Sequence, residues 1–310
     1  MITATGLTKK YGDHTVLDDL HLTVEAGTVF GLLGPNGAGK TTTVRILSTL
    51  LPADTGTATV GGHDVATDPG GVRRLIGVTG QFAAVDALLT AEENLRLMAD
   101  LHHLGRRESR ARIAALLERF DLADAARKAS AQLSGGMRRK LDLAMTLVGN
   151  PSVIFLDEPT TGLDPRSRRT MWDIIRGLVA DHGVTIFLTT QYLEEADELA
   201  HRIAVLDHGR LVAEGTPAQL KRRIDGGHVE LRFPDAATLR TATTHFAGVH
   251  PDPDTLTLRV PSDGSVAELR RLLDTLDAAG IEPTELAVHT PDLDDVFLAL
   301  TGPTDHGAPR

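Results

Sequence analysis

An α/β fold built around a buried sheet, with a helical insertion and a smaller α+β region behind it, is what this sequence predicts. Three observations carry that prediction. Val29-Phe-Gly-Leu-Leu33 and Val153-Ile-Phe-Leu-Asp157 are short continuous apolar runs, the pattern of strands covered on both faces. The first run leads through a glycine-rich turn into Val44, Ile46, Leu47 and Leu50, a helical spacing, so strand and helix follow each other directly. After Lys221-Arg-Arg the pattern shifts to short strands and amphipathic helices, which marks a second region.

The turn after the first run is Gly34-Pro35-Asn36-Gly37-Ala38-Gly39-Lys40-Thr41-Thr42. Its glycines let the backbone fold tightly with N–H groups pointing inward, toward the start of a helix whose dipole favours anions. Gly-x-x-x-x-Gly-Lys-Thr between strand and helix is the phosphate-cradling P-loop. Lys40 is expected to reach the β- and γ-phosphates, and the Thr41 hydroxyl to ligate Mg²⁺. The chain is therefore expected to bind a nucleoside triphosphate with its magnesium ion.

Composition sets the outer limits. A chain of 310 residues is long enough for two cores. It contains no cysteine, which excludes a disulfide framework, a thiolate metal site and a cysteine nucleophile. The N-terminus lacks a basic stretch followed by an apolar one, so no secretory signal is expected. The longest uncharged stretch, Leu143 to Leu156, is broken by Gly149-Asn150-Pro151 and falls short of the roughly 20 apolar residues of a membrane span. A net charge of −10 argues against a nucleic-acid partner, and none is expected.

Taken in order, Ile2 to Leu7 and Leu20 to Val24 read as strands around the loop Lys9-Lys10-Tyr11-Gly12-Asp13. Tyr11 offers an aromatic face on which an adenine ring could stack; its bland alternative is a half-buried turn residue. Gly56 to Val65 reads as a hairpin, and Ile76 to Gly80 as a short strand ending at Gln81. A glutamine there can ligate Mg²⁺ or orient water through its amide, or simply be a solvated loop residue. Thr90-Ala-Glu-Glu93 is a capping box, and helical periodicity makes residues 90 to 150 a mostly helical insertion. Within it, Ser134-Gly135-Gly136 before Leu141, Leu143, Ala144 and Leu147 forms a second anion-ready helix start.

The second apolar run ends in Asp157 and Glu158. Parallel sheets gather ligand groups at the carboxyl ends of their strands. Asp157 is expected in the Mg²⁺ shell, with Glu158 as general base for the attacking water. A further strand, Val184 to Leu188, ends at Thr189-Thr190-Gln191, and a hairpin around Asp207-His-Gly-Arg210 closes the region near Leu220.

Over roughly residues 1 to 222 this ordered set resembles the ATP-binding subunit of ATP-binding-cassette (ABC) transporters. Gly34 to Thr42 matches Walker A, Gln81 the Q-loop, Leu133-Ser-Gly-Gly-Met137 the signature, Val153 to Glu158 Walker B, and Asp164 the D-loop. Met137 stands where that family most often has glutamine, and Gln191 where it usually has the switch histidine. Thr189 to Asp197, Met137 and the C-terminal Leu293-Asp-Asp-Val-Phe-Leu-Ala-Leu-Thr301 resemble the daunorubicin and doxorubicin resistance exporters. The resemblance implies a P-loop ABC-type ATPase fold. It makes Tyr11 the adenine-stacking residue and Ser134, Gly135 and Gly136 a γ-phosphate contact supplied across a homodimer. It gives Gln191 a place beside the γ-phosphate as a neutral amide, unable to relay a proton. It further implies a separately encoded integral membrane permease, at the cytoplasmic face of the membrane, and export of drugs or other hydrophobic compounds. The alternative is a soluble ABC ATPase acting on nucleic acid, ribosomes or another assembly.

Residues 223 to 302 are expected to form the accessory α+β domain, of ferredoxin-like type. Its strands are His228 to Phe233, Thr255 to Val260 and Glu285 to His289. Its helices are Ala236 to Phe246 and the stretch marked by Val266, Leu269, Leu272, Leu273 and Leu276. His228, His245, His250 and His289 show no ligand spacing and read as surface residues. The tail from residue 303 is expected to be disordered.

Overall fold

The computed structural model describes residues 1–81, 83–222, 227–289 and 291–301. The predicted tail lies outside them. The chain divides into two compact units, Met1–Pro217 and Ala218–Arg310.

In the larger unit, β1 (Ile2–Tyr11) and β2 (His14–Val24) form a hairpin. The expected loop from Lys9 to Asp13 is therefore strand as far as Tyr11. Register shifts along the pair let polar residues stay in the ladder at its exposed end. Next come β3 (Val29–Leu33) and α1 (Lys40–Leu47). This helix stops before Leu50, because Thr49 takes a left-handed φ of 64° and Leu50 N–H bonds back to Arg45 O at 2.8 Å. Leu50 is left exposed rather than on the helix's apolar face. The hairpin β4 (Thr55–Val60) and β5 (His63–Asp64), α2 (Pro69–Leu75) and β6 (Ile76–Thr79) follow.

The helical insertion contains α3 (Ala91–Leu101), α4 (Arg106–Arg119) and α5 (Gly135–Thr146). Both halves of the Thr90/Glu93 capping box are formed, with Glu93 N–H donating to Thr90 Oγ1 and Thr90 N–H to the Glu93 carboxylate. The chain then returns through β7 (Val153–Asp157), α6 (Pro165–His182), β8 (Thr185–Thr190), α7 (Leu193–Leu199), β9 (Arg202–Asp207) and β10 (Arg210–Gly215), and α8 (Pro217–Lys221) falls at the division between the units.

Among the described residues the central sheet has the order β10-β9-β3-β8-β7-β6, parallel except for β10. Side chains alternate between two cores, as a pleated sheet covered on both faces requires. Phe30, Leu32, Phe155 and Phe187 face α1 and the antiparallel sheet β2-β1-β4-β5. Ile154, Leu156, Ile186 and Leu188 face the helices of the insertion and α6. Phe187 sits between Phe30 and Phe155, with ring centroids 5.5 and 5.6 Å away.

The smaller unit runs β11 (His228–Arg232), α9 (Ala236–Thr243), β12 (His250–Asp252), β13 (Thr257–Pro261), α10 (Val266–Ala278), β14 (Glu285–His289) and α11 (Leu293–Thr301). Its antiparallel sheet has the order β12-β13-β11-β14. This βαββαβ plait is the split-βαβ, ferredoxin-like arrangement. The helix predicted to reach Phe246 ends at Thr243, and Phe246 still packs against the core from the connection that follows. Strand β12 has too few apolar residues to be seen in the sequence. The four histidines lie at the surface, as expected, but two of them are brought together. His228 and His289 lie directly opposite each other in the β11/β14 register, with stacked rings 4.8 Å apart. A spacing of 61 residues in sequence hides a pairing that only strand register creates.

Candidate functional site

Strand order assembles the site. In the run β3-β8-β7-β6, Leu33 is level with Thr190, Asp157 with Thr189, and Thr79 with Leu156. The four strands thus deliver Gly34, Gln191, Glu158 and Gln81 to one edge of the sheet at nearly one height. Carboxyl ends of parallel strands are where such folds bind ligands.

The phosphate loop occupies the centre of this edge. A Cβ on Gly34 would lie 2.3 Å from Leu206 O, so only glycine lets the loop leave β3 beside β9. Gly39 has φ 110° and would place a Cβ 2.8 Å from Val16 O. Lys40 is buried and donates to Gly34 O at 2.7 Å and Pro35 O at 3.1 Å. Its ammonium is 3.6 Å from Glu158 Oε1. Burial pulls the Lys40 pKa down, and the charges of Glu158 and Asp157 partly restore it. A pocket of about 330 Å³ opens over this loop, bordered by Asn36, Gly37, Lys40, Thr41, Gln81 and Glu158. Its other wall comes from His14 and Val16.

Asp157 is 4% exposed and accepts from Thr189 Oγ1 at 2.5 Å and Thr41 Oγ1 at 3.2 Å. Glu158 is 8% exposed and takes φ 50°, an uncommon value for a residue with a Cβ. Its N–H donates to Thr189 O at 3.1 Å, which fixes the turn. Its carboxylate accepts from Thr161 Oγ1 at 3.3 Å and lies 3.5 Å from Gln81 Nε2. Glutamine, lysine and a carboxylate, from three separate parts of the sequence, therefore border one pocket, with Asp157 hydrogen-bonded to Thr41 of its wall.

Ser134 caps α5, its Oγ accepting from Met137 N–H at 3.2 Å. Gly135 borders a different hollow of about 360 Å³, shared with Gln81, Thr161 and Gly162. Ser134, Gly135 and Gly136 are not part of the wall of this chain's own phosphate pocket. About one turn of helix further on is a residue that nothing in the sequence singles out. Arg139 is 7% exposed and donates to Pro159 O at 2.8 Å, Gly80 O at 2.7 Å and the Asp142 carboxylate at 3.2 Å. Asp142 in turn accepts from Ala84 N–H at 2.9 Å. Burial lowers the Arg139 pKa and raises that of Asp142. The pair ties the start of the signature helix to the segments after β6 and β7. In sequence, Arg139 and Asp142 look like an ordinary surface pair at i, i+3.

Gln191 directly follows β8 and is half-buried, outside the wall of the phosphate pocket. Next to it, Glu195 of α7 is fully buried and accepts from Thr160 Oγ1 at 2.8 Å and Trp172 Nε1 at 3.0 Å through one oxygen. Burial raises its pKa above the usual carboxylate range. Asp164 caps α6 by accepting from Ser167 N–H at 3.0 Å, and hydrogen bonds from Ser167 lower its pKa. Tyr11 is half exposed at the end of β1, with Lys9 Nζ 5.7 Å from its ring centroid. The pocket wall upstream of the loop is formed by its hairpin neighbours His14 and Val16.

Sheet order, phosphate loop and paired carboxylates together define a P-loop ATPase with a helical insertion. Residues 17–161 match the ABC transporter family model. The chain is 52% identical over 303 residues to daunorubicin resistance ATP-binding protein DrrA3 of Streptomyces coeruleorubidus, covering 97% of this chain and 96% of that one. It is 48% identical over 306 residues to the daunorubicin/doxorubicin resistance ATP-binding protein DrrA of Streptomyces peucetius, covering 97% and 92%. Among solved structures it is similar to the ATP-binding subunit of an ABC transporter, with TM-score 0.65 and 29% identity over 72% of this chain and 92% of that one. A dimeric ATP-binding cassette in a post-hydrolysis state, bound to ADP and Pi, aligns with TM-score 0.64 and 26% identity, over 70% and 98%. The chain belongs to the ABC transporter family, among its daunorubicin and doxorubicin resistance ATP-binding proteins. It is a nucleotide-binding ATPase. Among the described residues no helix is long and apolar enough to cross a membrane.

Proposed function

We propose that this ATPase works as a homodimer at the cytoplasmic face of the membrane and powers a separately encoded permease that exports drugs or similar hydrophobic compounds. The observation that carries the dimer is the position of Ser134. It heads an anion-ready helix, yet it does not border the phosphate pocket of its own chain. A two-fold pairing would give each pocket the Ser134-Gly135-Gly136 start of the other subunit. The substrate class is drawn from relatives named for daunorubicin and doxorubicin resistance.

In this reading the loop Gly34 to Thr42 holds the phosphates, and Lys40 neutralises the β- and γ-oxygens. Tyr11 offers its exposed ring to the adenine. Thr41 and Gln81 border the pocket and the Asp157 carboxylate accepts from the Thr41 hydroxyl, so hydroxyl, carboxylate and amide together offer an oxygen set suited to Mg²⁺. When bound there, the ion supplies charge neutralisation on the phosphate oxygens. Glu158 accepts a proton from the water whose oxygen bonds to the γ-phosphorus, while the bond to the β–γ bridging oxygen breaks and ADP leaves. Gln191 orients the γ-phosphate by donating from its amide.

The dimer is tested by mixing subunits. Lys40→Ala protein and Ser134→Arg protein are each expected to be nearly inactive. Their mixture forms heterodimers with one intact composite site and recovers part of the ATPase rate. Full activity of Ser134→Arg on its own would defeat the shared site.

A further inference from the structure

We propose that the outer face of the C-terminal sheet is a binding site for a divalent transition-metal ion, zinc above all, held by His228, Glu230 and His289. One donor atom from each of these residues lies within 4.8 Å of the other two. The backbone creates this convergence. His228 and His289 are direct partners in the antiparallel ladder between β11 and β14, and Glu230 is two residues further along the same face of β11. Direct partners have Cβ atoms about 5 Å apart and diagonal neighbours about 7 Å, within reach of imidazole and glutamate side chains.

The supporting strand is rigid. Val229 and Leu231 on its inner face are both 0% exposed, as is Leu258 on the neighbouring strand. Little conformational freedom is therefore left to lose when an ion draws the donors together. Tetrahedral zinc with bonds of about 2.0–2.1 Å wants donors about 3.3 Å apart, a gap that side-chain rotation closes without moving either strand. Two imidazoles and one carboxylate suit zinc, nickel or copper, whereas magnesium and calcium prefer an all-oxygen set. Arg259 donates from Nε to Glu230 Oε2 at 3.0 Å. That bond orients the carboxylate and leaves its other oxygen as the ligand, the role outer hydrogen bonds play at metal sites. Its positive charge opposes the ion, so a site of moderate affinity is expected.

An ion here would link β14, at the edge of the sheet, to β11 beside it through side chains as well as backbone. The site is separate from the magnesium donors of the ATPase unit, and its chemistry does not depend on nucleotide.

The test uses the full chain, freed of metal by chelation, and zinc chloride without nucleotide. Competition against a chromophoric chelator should show a site that weakens at least tenfold in both His289→Asn and His228→Gln. His245→Ala, which removes an exposed histidine elsewhere in the unit, should bind as the parent does. Zinc should raise the melting temperature of the parent and leave that of His289→Asn unmoved. Cobalt in place of zinc should give visible d–d absorption in the parent that is lost in the two ligand variants. Equal zinc affinity in the parent and both ligand variants would overturn the site, as would a loss in His245→Ala as large as theirs.

Discussion

The phosphate end of the large unit and the outer face of the small one both gather ionisable side chains, by opposite routes. At the phosphate end the groups are buried, and each is anchored by a local motif at the end of a strand. Lys40 is held by loop carbonyls, Asp157 by Thr189 and Thr41, and Glu158 by its own left-handed turn. On the small sheet, His228, Glu230 and His289 sit at a partly exposed surface, brought together by ladder register alone. The contrast teaches what each arrangement can support. Buried charges held in fixed positions and shielded from water can drive chemistry on a bound phosphate. Half-solvated donors on a firm sheet can hold an ion but gain little electrostatic leverage over a reaction.

The sharpest way to break this comparison is Glu158→Gln. The substitution keeps size and hydrogen-bonding reach but removes the base, so turnover should fall by about 10²-fold or more. ATP binding should survive and leave a nucleotide-stabilised dimer, measurable by size-exclusion chromatography. Zinc affinity at the small unit should not change. Near-normal hydrolysis would take Glu158 out of the chemistry.

A smaller effect is expected at Gln191. Losing one hydrogen bond to a charged phosphate costs about 1.5–3 kcal/mol, so Gln191→Ala should slow turnover roughly tenfold to a hundredfold. ATP affinity should change far less, because Lys40 and the loop still hold the nucleotide. Gln191→His should stay active and acquire a pH dependence near an unperturbed imidazole pKa of about 6.5. Rates of the three proteins across pH 5.5 to about 8.5 check this, and an unimpaired alanine variant would reduce Gln191 to a connector.

The mildest change is Glu195→Gln, which sharpens the link between burial and acidity. One glutamine oxygen can accept from both Thr160 and Trp172, as the carboxylate oxygen now does. Burial raises the folded-state pKa of Glu195 above the ordinary glutamate value of 4.5, so the folded protein holds this proton more tightly than the unfolded one. Its contribution to stability therefore falls as pH rises from about 4.5 toward the raised value and is constant above it. Glutamine has no such segment. Unfolding free energies from denaturant titration should differ by about 1 kcal/mol or less near pH 5, and the parent should lose stability relative to the glutamine variant as pH rises through this window. Parallel curves for the two proteins would refute the assignment.

Much of the ATPase unit was legible because its motifs are local. Gly34 to Thr42 carries loop geometry, helix start and charge in nine consecutive residues, and Val153 to Glu158 couples a buried strand to its carboxylates. The plait was legible as a pattern of short strands and amphipathic helices. Boundaries failed where neighbours overrode local preference, as at Tyr11 in its hairpin and at Leu50 beyond the left-handed Thr49. Arg139 could not be read at all. A charged residue on a polar-looking turn becomes a buried clamp only when the segments after β6 and β7 bring Gly80 O and Pro159 O to it.

By itself, then, the sequence determined where the phosphate-loop motif lies, which carboxylates stand at strand ends and that a second unit follows the first, because those properties reside in neighbouring residues. Tertiary structure decided which groups meet. Sheet order set Gln81, Lys40 and Glu158 around one pocket, and strand register set His289 against His228. Such pairings depend on hydrogen bonds between strands far apart in the chain, and no local spacing encodes them.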